Sequence, residues 1–255
     1  MKNLFWLCVC LTLLGPAYAS HSLPQPFEAT YALHRYGIKL GAMTRSLIAT
    51  GNGEYIFRSR TRTTGIVALF YKVHIVEETH WTYDGHAMRP LEYQYHQSGS
   101  NRVRDITLEY DWTNGEIRNT SDDAPWRVAL GPNVYDDLLY QYVLMQDLEA
   151  GKRDLSYKIA AGGRLKTYDI TLLGEEIIDT PLGKLQTLKL QRQKPNSKRK
   201  TTVWCAIDLH YLAVRLERLD NDGTISTILI EKLIGLNKSP TDTSKKLNRL
   251  GTSGH

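Results

Sequence analysis

From residue 27 to residue 233 the chain is dominated by one pattern: apolar and polar residues alternate over a short run, then a turn breaks it. The alternating runs are 27–35, 38–49, 55–62, 73–83, 88–95, 103–112, 155–160, 166–174, 185–192, 201–206, 213–219 and 226–233. A period of two places successive side chains on opposite faces of a strand, so each run can cover a core with one face only. The breaks carry turn chemistry: Gly51-Asn52-Gly53, Asp84-Gly85, Asn114-Gly115 and Asp222-Gly223. Such short turns join antiparallel neighbours, because a parallel pair needs a long crossover. The pattern predicts a mainly β protein, an antiparallel meander long enough to curl into an open barrel or β-roll. No internal repeat or linker divides it, so residues 20–236 are read as a single domain.

Two segments depart from the alternation. Residues 133–150, NVYDDLLYQYVLMQDLEA, place Tyr135, Leu138, Leu139, Tyr142, Val143, Met145 and Leu148 at helical spacing. Asn133 reads as the N-cap, Asp136 and Asp137 favour the positive end, and Gly151 suits the C-terminal stop. One amphipathic helix beside a curved sheet is expected to pack in or against its concave face. Residues 65–71, GIVALFY, are apolar on all sides and too short for a full helix. They read either as a buried connector or as a mobile apolar lid over a cavity.

The first residues, MKNLFWLCVCLTLLGPAYAS, have the form of a secretory signal: Lys2, an apolar run from Leu4 to Leu14, a Gly15-Pro16 break and the small-residue site Ala17-Tyr18-Ala19. Cleavage after Ala19 removes 19 of 255 residues and leaves 236. It also removes Cys8 and Cys10, so Cys205 alone remains of three cysteines and no intrachain disulfide can form. Cys8 lacks the small-residue context of lipid attachment. The expected location is therefore the periplasm of a Gram-negative bacterium. Removing Lys2 lowers the formal charge from +5 to +4, and part of that excess lies in the polar tail 237–255, which has no period and reads as disordered. The remaining near-neutral domain gives no support to nucleic-acid binding.

At this point the residues resemble a known family, the exported bacterial proteins with the DUF3108 domain. The resemblance rests on Pro26-Phe27-Glu28-Ala29-Thr30-Tyr31, Gly37-Ile38-Lys39-Leu40-Gly41 and Thr64-Gly65-Ile66-Val67-Ala68-Leu69-Phe70. It also rests on Gly163-Arg164-Leu165-Lys166-Thr167-Tyr168, Thr180-Pro181-Leu182-Gly183, and Trp204 with Asp208, Tyr211-Leu212 and Val214-Arg215. It implies export and a β-rich fold and names no reaction. The last hairpin is also loosely similar, at the level of fold, to one in LolA- and LolB-type periplasmic lipoprotein carriers, open barrels with a helical lid around an acyl chain.

WCAIDLHY, residues 204–211, brings a cysteine, a carboxylate and a histidine within six positions. The alternation on either side makes it a strand, a turn and a second strand. Catalytic partners usually come from distant segments, and a lone cysteine commonly serves as a small apolar side chain. The hairpin reading is taken, with Trp204 facing the core and Cys205 facing outward or into a secondary contact. His74 falls opposite Tyr95 if Asp84-Gly85 is a two-residue turn, and opposite His96 if the turn has three. Two histidines remain an incomplete metal site. Arg58, Arg60 and Arg62 share one strand face, either a solvated face partly paired with Glu77 or Glu78, or a wall that binds anions. The basic run Lys194-Pro195-Asn196-Ser197-Lys198-Arg199-Lys200 reads as a hairpin tip, either solvated or touching anionic headgroups.

There is no phosphate-binding glycine loop, nucleophile elbow or cysteine-based metal spacing. No catalytic residue, metal or cofactor is therefore assigned. The expected function is non-catalytic: a monomeric envelope protein that holds an apolar or amphipathic, lipid-like ligand, with Ile66, Leu69, Phe70, Leu138, Tyr142 and Met145 lining the site. Peripheral contact with anionic envelope lipids fits the same reading. The alternatives are an envelope hydrolase whose site is dispersed in sequence, and a scaffold that recruits partners through a sheet edge or its tail.

Overall fold

A computed structural model describes residues 25–85, 87–99, 103–121, 125–193 and 197–237. The signal-like segment 1–19, residues 238–255 of the tail, and Lys194, Pro195 and Asn196 of the basic run lie outside the described residues. The chain opens with a long meander: β1 (Phe27–Arg35), β2 (Ile38–Gly51), β3 (Glu54–Thr63), a one-turn helix α1 (Val67–Phe70), β4 (His74–Tyr83), β5 (Met88–Ser98) and β6 (Arg104–Asp111). It continues through β7 (Glu116–Asn119), β8 (Trp126–Ala129), the two-residue β9 (Val134–Tyr135), helix α2 (Leu139–Glu149) and β10 (Leu155–Ala161). β11 (Arg164–Thr180), β12 (Gly183–Gln193), β13 (Lys200–Ala206), a 3-10 turn at Ile207–Leu209, β14 (Leu212–Leu219) and β15 (Ile225–Ile234) complete it.

All the strands form one sheet of 15, running β8 to β1 in descending order, then β15 down to β9. Every pairing is antiparallel except β9 with β10. The pairing of β1 with β15 joins the first and last strands, so the chain's two halves extend away from a shared centre. The sheet's two edges, β8 and β9, are neighbours in sequence, separated only by residues 130–133. A four-residue connection can reach only about 17 Å, so the sheet must curl until its edges almost meet. Among the described residues no ladder of hydrogen bonds joins those edges, and the sheet is not closed along that seam. There the Trp126 ring lies so close to Gly163 that a Cβ on the glycine would sit 3.7 Å from it.

The helix fills the curl. Tyr142 packs its ring against Phe57 of β3 and Trp81 of β4, with centroids 5.7 and 5.4 Å away. Tyr140 reaches the other half, against Tyr157 of β10 and Tyr168 of β11. Leu139, Tyr142, Val143, Leu144, Met145 and Leu148 are all buried. The expected one-sided amphipathic helix is thus apolar on most of its circumference, because sheet surrounds it. It is also shorter than 133–150. Val134 and Tyr135 pair with Lys158 and Ile159 as a parallel strand, so the helix is the crossover that such a pairing requires. Asn133 takes a left-handed conformation, φ 56°, and does not cap. Asp136 caps instead: its Oδ1 accepts the backbone N–H of Leu138 and Leu139 at 2.9 and 2.7 Å. Gly151, φ 79°, ends the helix as expected, its N–H bonding the Leu148 carbonyl.

β7, β8 and β9 are too short to show a period and were not anticipated. The turn closes with Tyr83 opposite Met88, and a bulge between His80 and Trp81 shifts the β4–β5 register by one residue more. His74 therefore faces Ser98, and His96 faces Val76, so neither expected pairing of His74 forms. Among the described residues no group of histidine, cysteine and carboxylate side chains could hold a metal ion. No described helix is long and apolar enough to cross a membrane.

A candidate ligand cavity with a basic neck

The inner face of β12–β15 is built in layers by cross-strand register. Leu190 faces Val203, Val203 faces Leu216 and Leu216 faces Ile228, giving one apolar row across four strands. Two positions toward the β12–β13 turn, Arg192 faces Thr201, Thr201 faces Arg218 and Arg218 faces Ser226. These rows lie about 7 Å apart, the rise of two strand residues. Between this wall and α2 lies a cavity of about 370 Å³, lined mostly by apolar side chains, with Tyr140, Gln141, Leu144 and Met145 as the helix contribution. Arg192, Thr201 and Arg218 also line an outer cleft of about 640 Å³, so the basic row forms the neck between the two.

The far wall of the cavity is polar. Glu77 of β4, Asp137 before the helix, and Arg45 of β2 line it together. Burial pushes the Glu77 carboxyl up from its ordinary value, Arg45 opposes this, Asp137 adds to it, and the Tyr93 hydroxyl, donating at 3.4 Å, partly offsets it. Asp137 accepts a hydrogen bond from the Tyr168 hydroxyl at 2.8 Å. Burial first, and Asp137 second, raise the Tyr168 phenol to about 12. The Arg192 guanidinium stacks on the Tyr168 ring, 3.8 Å from its centroid. Glu77 and Asp137 also border a second cavity of about 830 Å³ at the seam between β5, β6, β8 and the β10–β11 turn.

The residues expected to line a ligand site are not gathered in one place. Leu138, Tyr142 and Met145 are buried with the helix, and only Met145 reaches the cavity wall. Ile66, just before α1, and Leu69 and Phe70 on it are at the outside, with 75%, 75% and 85% of their surface exposed. The 65–71 segment is therefore not a buried connector. Arg58, Arg60 and Arg62 share the outer face, because Phe57 and Ser59 take the inner one. Arg58 pairs with Glu78, its partner across the strands, while Arg60 and Arg62 are exposed opposite Val76 and His74. The alternation decides between the two acids: Glu78 is outside and Glu77 inside. Arg192 and Arg218 are not singled out by the sequence, which offers Glu77 only as a candidate partner of the arginine face and Asp137 only as an acid at the start of the helix. Pairing 185–192 with 201–206 across the basic turn would have aligned Arg192 with Thr201.

WCAIDLHY is a strand, a 3-10 turn and the start of the next strand, as expected, but its faces are reversed. Trp204 lies on the outer face between its cross-strand partners Lys189 and Arg215, whose cations sit 4.9 and 4.8 Å from the ring. Its Nε1 donates to Glu176 at 3.2 Å. Cys205 lines the inner cavity beside Val203. Both are buried, at 4% and 1% exposure, on opposite faces of the strand: Cys205 by the interior, and the indole by the long charged side chains that cover it. Burial raises the Cys205 thiol to about 12, so it stays protonated near neutral pH and is a poor nucleophile.

The sequence model of the family described as "Protein of unknown function (DUF3108)" matches residues 27–230, most of the chain. The chain belongs to the DUF3108 family. The match runs from the first residue of β1 into β15, so the DUF3108 domain includes both strands that join the two halves of the sheet. No curated protein matches the chain. Among solved structures, the β-barrel-like protein of domain of unknown function DUF1849 from Brucella abortus is similar. Its TM-score is 0.56 at 13% identity, covering 85% of this chain and 99% of that one. At that identity the likeness concerns fold alone, and it agrees with the curled sheet of the DUF3108 domain.

Proposed function

We propose that this chain is an exported, monomeric envelope protein that binds an apolar or amphipathic, lipid-like molecule inside its curled sheet without catalysing a reaction. The observation that carries the reading is the cavity of about 370 Å³ between α2 and the Leu190–Val203–Leu216–Ile228 row. Its volume and mostly apolar lining fall in the range of small-molecule sites. The signal-like N-terminus supports export. The exposed Ile66, Leu69 and Phe70, beside the exposed Arg62 and Lys72, suit peripheral contact with an anionic bilayer. Native mass spectrometry of the periplasmic protein, with uptake of a fluorescent fatty acid, tests the reading. One bound molecule per chain, lost when Val203→Trp fills the cavity in a folded protein, is expected. A clean apo mass with no uptake would reject it.

A hydrolase is the second reading, favoured by Glu77 and Asp137 lining one cavity. A carboxyl raised by burial beside a second carboxylate is the arrangement of a general acid with its partner. Hydrolysis of envelope glycans or esters by the wild type, abolished in a Glu77→Gln protein that still takes up the fatty acid, would establish it.

A further inference from the structure

We infer that the occupant of the inner cavity is an anionic amphiphile, its negatively charged head held by Arg192 and Arg218 at the neck and its apolar chain running inward. This rests on the interior-binding reading above and adds the chemistry of the head. The layered register gives the ligand its polarity: a row with two arginines lies next to a row of four apolar side chains. A molecule spanning both rows is charged at one end and apolar at the other.

Arg192 carries the sign of that charge. It is half-buried, and among the described residues it has no carboxylate partner. A partly desolvated guanidinium is costly without a counter-charge. Its plane is nevertheless fixed, stacked on Tyr168, which Asp137 anchors in turn. Such a guanidinium presents its donors as a fork that suits phosphate or carboxylate oxygens. Arg218 shares one carboxylate, Asp220, with Arg199, at 3.1 and 3.4 Å, so that trio keeps a net positive charge. The outer cleft adds Arg164 and Lys166, and its only lining carboxylate among the described residues is Asp169, which accepts a hydrogen bond from Ser156. On the far wall Arg45 is accompanied by two carboxyl groups, Glu77 and Asp137, whereas the neck and outer cleft hold more cations than carboxylates, which places an anionic head at the neck.

The test is calorimetric titration of the full mature chain with dodecyl phosphate, with neutral monododecanoyl glycerol and with inorganic phosphate, each below any micelle threshold. Dodecyl phosphate is expected to bind at least about tenfold more tightly than the glyceride, and the advantage should shrink with added salt. Arg218→Gln, at an exposed position, should weaken dodecyl phosphate about tenfold and leave the glyceride unchanged, and Arg192→Gln should do the same or more. Equal affinity for the two amphiphiles would overturn the assignment of the head while leaving interior binding intact. Inorganic phosphate binding as tightly as dodecyl phosphate would also overturn it, marking a site for the free anion. Failure of both amphiphiles would remove the interior-binding reading itself.

Discussion

Asp136 offers the sharpest test of how the helix is held inside the sheet. It is fully buried, and its Oδ1 accepts from the Leu138 and Leu139 amides and from the Thr79 hydroxyl at 2.9 Å, tying the start of α2 to β4. Its Oδ2 has no partner among the described residues. Burial raises the carboxyl from 3.8 to about 7, against the pull of those three hydrogen bonds and with a further push from Asp137. Between these values the folded protein keeps a proton that the unfolded chain has lost. Stability from this group is therefore complete below about pH 3.8 and declines as pH rises to about 7. The interval from 3.8 to about 7 corresponds to roughly 4 kcal/mol. Asp136→Asn keeps an acceptor for the cap and cannot ionise. Urea unfolding of both proteins at about pH 4 and about pH 8 isolates the group, since titrations common to both cancel in the difference. The variant should gain roughly 4 kcal/mol relative to wild type between the two conditions. A difference that stays constant with pH would refute the buried, protonated carboxyl.

Three further outcomes are expected. Iodoacetamide should leave Cys205 of the native protein unlabelled near neutral pH and label it in urea, because burial holds the thiol near 12; rapid native labelling would show an accessible thiolate. Gly99→Ala should cost at least about 2 kcal/mol, since φ is +95° and the new Cβ would lie 2.1 Å from the Lys72 carbonyl oxygen. Gly131→Ala, which meets nothing within 4 Å, should stay within about 0.5 kcal/mol, and equal melting shifts for the two would discredit the packing between β5 and the α1 connection. Phe70→Ser should leave the unfolding midpoint unchanged within about 0.5 kcal/mol and weaken co-sedimentation with vesicles containing anionic lipid; unchanged sedimentation would count against a bilayer-facing segment.

The alternation and the turn residues were enough to place most strands. Residues 27–35 form β1 as read, and the hairpins at Asn52-Gly53, Asp84-Gly85 and Asn114-Gly115 fall where glycine permits a reversal. This information is local: a period of two and a left-handed turn are properties of a few adjacent residues. The apolar character of α2 was legible for the same reason, and so was its stop at Gly151. The start of α2 was not, because Val134 and Tyr135 become a strand only when β10 lies alongside them. Nor was the face of Cys205, because the period of two leaves open which face meets the core, and the indole that seemed to need the core is covered instead by Lys189 and Arg215 from neighbouring strands.

The sequence by itself determined that this chain would be a meander of amphipathic strands with one apolar helix, since those periods are written residue by residue. Tertiary structure alone decided that the sheet curls until β8 and β9 nearly meet, that α2 lies within it, and which charges face inward. Glu77 and Glu78 are adjacent and chemically alike, yet one faces a cavity and the other pairs with Arg58 outside. Arg192 and Arg218 are 26 positions apart in the chain and meet only through Thr201 between them. Cross-strand register creates such neighbours, and register is set by the summed fit of whole strands against one core.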